Sequence, residues 1–422
     1  MTTSDGLLSV GDALERLLAE FRPLESEVIH ADLALGRVLA KAIVALIDLP
    51  PFANSSMDGY AVRAADVAAA SAEAPVTLTV TADIPAGARP PAIALAPGSA
   101  ARIMTGAPLP PGVDAVIPIE ATDDARSSAG APPPAKVRIL NPVALGANVR
   151  LPGEDVRAGV EVLPAGHVVR PAEMAMLASL GRNEVAVIRK PRVAILSTGD
   201  ELVEIAEPLA PGKIRDSNSY ALAALVQTYG GTPIRVGIAP DRVAAVRERL
   251  GAALAQSADL ILSSAGVSVG AFDVVKTVVQ SEGSLDFWRV RMRPGKPLAF
   301  GQVRGVPFLG LPGNPVSAMV TFEIFARPAI LKMSGRSSLA KPQVPARLLE
   351  EVSSDGRESY LRAVVQREGA VYTARLTGGQ GSNLITSLTR ANALVIVPAG
   401  VTRVRAGETL MAWMLHWPEQ VF

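Results

Sequence analysis

The chain has 422 residues, 49% of them hydrophobic and 19% charged, with a formal net charge of +1 and no cysteine. That length predicts three or four units at roughly 100–200 residues each. The near-neutral charge and 4% aromatic content exclude the basic stripe and stacking platform of a nucleic-acid protein. The missing cysteines exclude disulfides, thiolate nucleophiles and iron–sulfur clusters.

Val10, Ala13, Leu14, Leu17, Leu18 and Phe21 fall on one helical face, and Ser9 with Asp12 reads as a capping-box start. A second helical stretch is predicted near Ala31 to Ala40. From Pro50 short β-like runs alternate with Pro/Gly turns, at 76–80, 100–104, 115–119 and 136–140. Residues 46–145 therefore read as a small, mostly β insert. Residues 146–185, with a helix near Pro171–Leu180, are expected to return to the opening segment 1–45 as one discontinuous domain. From Arg192 the pattern becomes β-α-β-α, with strands near 192–197, 233–238, 259–264, 298–300 and 307–311. Helices are predicted at 219–229, 241–256, 273–280 and 316–330. Strands alternating with helices mean a parallel sheet with right-handed crossovers, here spanning 186–332. Short, turn-separated strands then predict a C-terminal β domain over 333–422. The fold class is a multidomain α/β protein.

No apolar run approaches the about 20 residues of a membrane helix, and no leader pattern is read at the N-terminus, so a cytoplasmic protein without membrane contact is expected. His30, His167 and His416 stand alone, without the neighbours of a metal or triad motif. Acid/base or metal chemistry must then rest on carboxylates.

Ligands of an open parallel sheet bind beyond the carboxyl ends of its strands. Thr198-Gly199-Asp200-Glu201 follows the first strand and Ala239-Pro240-Asp241 the second. Ser264-Ala265-Gly266-Val267-Ser268-Val269-Gly270, with Asp273 and Lys276, follows the third, and Pro312-Gly313-Asn314-Pro315 the last. Backbone N–H groups in such loops, with helix N-termini, cradle oxyanions, and neighbouring carboxylates hold Mg²⁺ beside phosphates. Arg289, Arg291, Arg293 and Lys296 add a cationic clamp, so the combination points to phosphoryl chemistry. Gly266 to Gly270 also fits the G-x-S-x-G elbow of serine hydrolases. That reading needs a downstream histidine, and only His416 qualifies, so Ser268 is read as a hydroxyl donor in an anion loop.

The ordered motifs resemble the molybdopterin molybdenumtransferase family, which is MoeA-like and similar to the gephyrin C-terminal domain. They are Asn54-Ser55-Ser56-Met57-Asp58-Gly59-Tyr60, Arg102-Ile103-Met104-Thr105-Gly106, Gly153-Glu154-Asp155, Ser197 to Leu202, Gly266 to Gly270 with Asp273, Pro294-Gly295-Lys296-Pro297 and Leu311 to Ser317. The resemblance implies a central molybdopterin-binding-type α/β domain beside a linker domain, and a homodimer whose active site is shared between subunits. It implies conversion of adenylylated molybdopterin and molybdate to molybdenum cofactor and AMP, with Mg²⁺. Asp241, Asp273 and Glu201 then become metal and phosphate-side carboxylates. Asp58, Thr105, Arg150 and Asp155 become the contribution of the insert and returning segment, facing the sheet domain across the dimer. Gly266, Ser268 and Gly270 would hold the phosphate or pterin end, with Arg289, Arg293 and Lys296 attracting anions and Pro312, Gly313 and Asn314 completing the wall. Two alternatives share these loops: a molybdopterin adenylyltransferase, which is also an expected partner, and a gephyrin-like scaffold.

Overall fold

The computed structural model describes residues 7–89, 92, 94–125, 131–264 and 272–417, with backbone only at 272 and 273. Its centre is a six-stranded sheet of β1 (Arg192–Thr198), β2 (Thr232–Ala239), β3 (Leu260–Ser264), β4 (Gly283–Arg289), β5 (Pro297–Val303) and β6 (Val306–Leu311), in the order β2-β1-β3-β6-β5-β4. The helices are α1 (Ser217–Thr228), α2 (Val243–Ala255), α3 (Phe272–Glu282), α4 (Pro315–Thr321) and α5 (Arg327–Met333).

β2, β1, β3 and β6 run parallel, as the alternation predicts. β5 and β4 run antiparallel to their neighbours, a departure from the all-parallel expectation. The cause is local: β5 joins β6 through Arg304-Gly305, with φ of 47° and 84°, and a two-residue turn with both φ positive folds the chain straight back. Both sheet faces are covered. Val193 and Ile195 of β1 point into a core with Leu222 and Val226 of α1, while Ala194 and Leu196 point into another with Val246 and Leu250 of α2. This two-sided burial explains why β1 reads as a continuous apolar run.

The opening helix is Val10–Ala19, with Ser9 Oγ accepting from the Asp12 N–H at 3.0 Å. Ala13 and Leu17 bury in the sheet-domain core. The second expected helix does not form. Ala31–Leu33 is one 3₁₀ turn, stopped where Gly36 takes a φ of 76°. Before it, Ser26–His30 pairs antiparallel with Glu184–Ile188, and Ile43–Val44 pairs with Glu161–Leu163. Pairing with distant strands overrides the local helical preference.

The insert sheet has five strands, one of them Gly59–Val62, between Ala115–Pro118 and Ser99–Ile103. A Cβ at Gly59 would collide with the Ile117 carbonyl and sit 2.9 Å from Ile119 N. Gly59→Ala is expected to destabilise the chain by about 1–3 kcal/mol, read as a lower urea midpoint with an unchanged slope.

At the C-terminus, Glu358–Glu368 pairs with both Val371–Leu376 and Ala393–Val397. Gln343–Leu348 and Thr409–Met414 complete the ring, so the strands close into a barrel. Met292–Arg293, just after β4, adds a strand to that barrel beside Glu358 and Ser359.

Candidate active site

The chain runs from β1 to β2 on one side and then to β3 on the other, leaving a crevice where the order reverses. A cavity of about 610 Å³ opens there, bordered by Thr198 at the end of β1, Ser264 at the end of β3 and Pro312, Gly313 and Asn314 after β6. Of the loops expected at one edge, those after β1 and β6 meet there with Ser264 at the end of β3, and residues 265–271 lie outside the described residues. The far wall comes from the barrel: the Asn314 side chain donates to Ser382 Oγ at 3.0 Å, and Asn383 lines the cavity.

Glu201 lines this cavity. Its carboxylate folds back over Gly199, whose φ is 145° and where any Cβ would strike the Glu201 carboxyl group. Asp241 is half-buried beside it. Asp241 does not cap α2, which starts at Val243 with Arg242 as N-cap and no side-chain cap bond. The Asp241 N–H donates to Asp200 Oδ1 at 3.1 Å, and Asp241 Oδ1 is buried without a partner among the described residues. Burial first, then the nearby charges of Asp200 and Glu201, push the Asp241 carboxyl above its ordinary range. An orphaned carboxylate oxygen among two further carboxylates fits a hard cation such as Mg²⁺. Among the described residues no three acidic or histidine side chains close into a metal-binding group. The Asp273 side chain, Gly266, Ser268 and Gly270 lie outside the described residues.

The cations fall in two sets. Arg289 and Lys296 are exposed, and no carboxylate partners them among the described residues. Arg293 is matched by Asp355 of the barrel domain at 3.7 Å. Sequence reasoning missed Arg362, which is 1% exposed. Its guanidinium donates to Ser387 Oγ at 3.1 Å and to Gly381 O at 3.1 Å, with no carboxylate partner among the described residues. Desolvation, then Arg293, pull it down to about 10. An arginine in an apolar strand gave no local signal. Asp216 and Asn218, both lining the cavity, were also missed, because Asp216-Ser217-Asn218-Ser219 reads as an ordinary helix start.

The remaining residues gather elsewhere. Asp58 Oδ1 accepts from the Thr105 N–H and the Thr105 hydroxyl, each at 2.7 Å, and these bonds hold its carboxyl below the usual range. Arg150 pairs across a short ladder with Asn54, close by in the chain to Asp58. Asp155 is exposed after it, its N–H on Leu49 O. None of these four lines the sheet-domain cavity. The site residues thus form two groups on one chain.

Comparison with known proteins matches the regions that hold both groups. Residues 8–181 match the MoeA N-terminal region (domain I and II), 194–332 a probable molybdopterin binding domain, and 345–415 the MoeA C-terminal region (domain IV). Fold and site thus define a protein with a molybdopterin-binding type of α/β domain. A molybdopterin molybdenumtransferase of Nostoc sp. is 42% identical over 93% of this chain and 89% of its own length. Molybdopterin molybdenumtransferase 2 of Mycobacterium tuberculosis is 40% identical over 95% and 98%. The crystal structure of a molybdopterin biosynthesis MoeA protein from Pyrococcus horikoshii OT3 superposes with a TM-score of 0.78 at 32% identity, covering 97% of this chain and all of that one. The chain belongs to the molybdopterin molybdenumtransferase family.

Proposed function

We propose that the protein is a transferase that inserts molybdenum into molybdopterin, taking molybdate and adenylylated molybdopterin and releasing molybdenum cofactor and AMP. The observation that carries this reading is the cavity at the sheet's reversal point. Glu201 and Arg215 line it, Asp200 and Asp241 adjoin Glu201, and Gly295 and Pro297 on its wall flank the exposed Lys296. A pyrophosphate-bearing substrate and a tetrahedral oxyanion suit the cationic side, and Mg²⁺ suits the acidic side. Bound there, Mg²⁺ would neutralise charge as the phosphoanhydride breaks. With no cysteine in the chain, the sulfurs that receive molybdenum belong to the substrate.

The chain divides into a linker domain of 1–45 plus 146–185, an insert of 46–145, an α/β domain of 186–332 and a β domain of 333–422. The linker domain exposes Val28, Leu33, Leu35 and Val160, with Leu46 and Ile47 exposed at the start of the insert, apolar side chains suited to pairing with a second copy. In such a homodimer Asp58, Thr105, Arg150 and Asp155 of one subunit meet the cavity of the other. Adenylyl transfer would need only the sheet domain, whereas the match to a molybdenumtransferase relative covers 95% of the chain.

Incubation with adenylylated molybdopterin, molybdate and Mg²⁺ is expected to release AMP and to yield cofactor that reconstitutes a molybdoenzyme. Mixed dimers of Asp58→Ala and Asp241→Asn chains are expected to regain activity, because one of their two sites is intact. ATP consumption indifferent to molybdate would defeat the insertion reading, and inactive mixed dimers would defeat the shared site.

A further inference from the structure

Phosphate and molybdate offer acceptor oxygens, so proteins hold them with N–H groups and cations. One wall of the cavity is built in the opposite sense. Asp216 is 2% exposed. Its Oδ1 accepts from the Ser219 N–H at 3.1 Å, capping α1, while its Oδ2 is buried without a partner among the described residues. Asn218 donates one amide hydrogen to Ser264 Oγ and the other to Gly313 O, each at 2.7 Å. Both donors being engaged, its Oδ1 is left as an acceptor, buried and unpaired. Thr198, wholly buried at the end of β1, carries a third oxygen without a partner. All three residues border the same cavity.

Shielded acceptors with no donor cost free energy that a complementary ligand recovers. Their complement is a flat edge carrying several N–H donors, and an anion placed against Asp216 would be repelled. A pterin has such an edge in its 2-amino group and the adjacent ring N3–H. We infer that Asp216 and Asn218, with Thr198, form the wall that recognises the pterin end of the substrate. The Asp216 carboxylate accepts from the 2-amino group and N3–H, and the anionic end of the substrate lies away from this wall. Asp216 is thereby a specificity-determining residue. The inference rests on the proposed molybdopterin substrate.

The test uses two fluorescent pteridines and the full chain. Pterin carries the 2-amino group, and lumazine carries a carbonyl oxygen in its place. Wild type is expected to bind pterin at least about tenfold more tightly than lumazine, since a site built to accept an N–H rejects the analogue that lacks it. Asp216→Asn still accepts from the Ser219 N–H as a helix cap and so keeps the fold, but it presents an amide donor to the lumazine oxygen. That variant is expected to lose or reverse the preference, with an unchanged thermal midpoint. Thr198→Val, which removes an acceptor without touching the cap, is expected to weaken pterin binding without favouring lumazine. A wild-type preference that survives in Asp216→Asn overturns the assignment. So does a wild type that releases AMP from adenylylated molybdopterin yet binds neither pteridine. A wild type that neither binds pterin nor releases AMP overturns the molybdopterin reading itself.

Discussion

Asp241→Asn is expected to abolish molybdate-dependent AMP release while leaving the fold as stable as the wild type or more so. Asp241 Oδ1 is buried and unpaired, and Asp200 and Glu201 crowd it with like charge. Catalytic sites keep such arrangements for what they bind, not for stability. An amide keeps the shape and removes the repulsion, but cannot supply the anionic oxygen that a cation requires. The expected loss is on the order of 100-fold or more in rate, as for other electrostatic groups at reacting charge. Because the folded carboxyl titrates above its ordinary 3.8, ionised Asp241 lowers stability at neutral pH. The penalty is fully present above the folded pKa, shrinks as pH falls through it, and is gone below the unfolded value. Two measurements check this: AMP release under saturating substrate, and the thermal midpoint with and without millimolar Mg²⁺. Mg²⁺ should stabilise the wild type and not the variant. A variant that turns over at the wild-type rate removes Asp241 from the site.

The second large effect lies at the joint between the sheet domain and the barrel. Glu323, 5% exposed, sits in the single π-helical turn Phe322–Ala326 that separates α4 from α5. Its carboxylate accepts from Lys341 Nζ at 2.6 Å and from the Tyr229 hydroxyl at 2.8 Å, and Arg327 lies 3.6 Å away. Lys341 leads into the first barrel strand, and Arg327 also donates to Leu339 O at 2.8 Å. One carboxylate thus serves two buried cations and ties the connecting segment to the helices. Burial pulls both Lys341 and Arg327 below their ordinary values, with the Glu323 charge opposing that pull. Glu323→Ala leaves an ammonium and a guanidinium buried without a counter-charge, which costs about 3–5 kcal/mol. Urea unfolding followed by tryptophan fluorescence should show the midpoint falling by the corresponding amount, with early proteolysis within 334–342. Adding Lys341→Met to the same chain should recover part of the loss, since a methionine needs no partner. An unchanged midpoint in the single variant would show that the network carries no load.

Much of the site was legible because it is coded locally. Apolar runs alternating with helices predicted that the ends of β1, β3 and β6 share one edge, and Thr198, Ser264 and Gly313 are found there together. Ser9 before an amphipathic run announced the opening helix, and its cap bond forms. Other features depend on partners far along the chain. Ser26–His30 is a strand only because Glu184–Ile188 lies against it, so the local pattern at Ala31 to Ala40 read as helix. Asp216 looks like any helix cap until Asn218 is seen bonded to Gly313, 95 residues on. Arg362 is unremarkable in its strand and becomes a buried, uncompensated cation once the barrel closes.

The sequence by itself determined the α/β order, the dependence on carboxylates in a chain without cysteine, and the motifs that mark the family. Periodicity, caps and turn residues act within a few positions, and so they can be read in one dimension. Only the tertiary structure decided that Asp241 is an orphaned carboxylate, that one sheet strand, β5, runs against the rest, and that one cavity wall presents three unpaired oxygens. Whether a polar atom has a partner depends on which distant segments pack against it, and packing is a property of the folded chain.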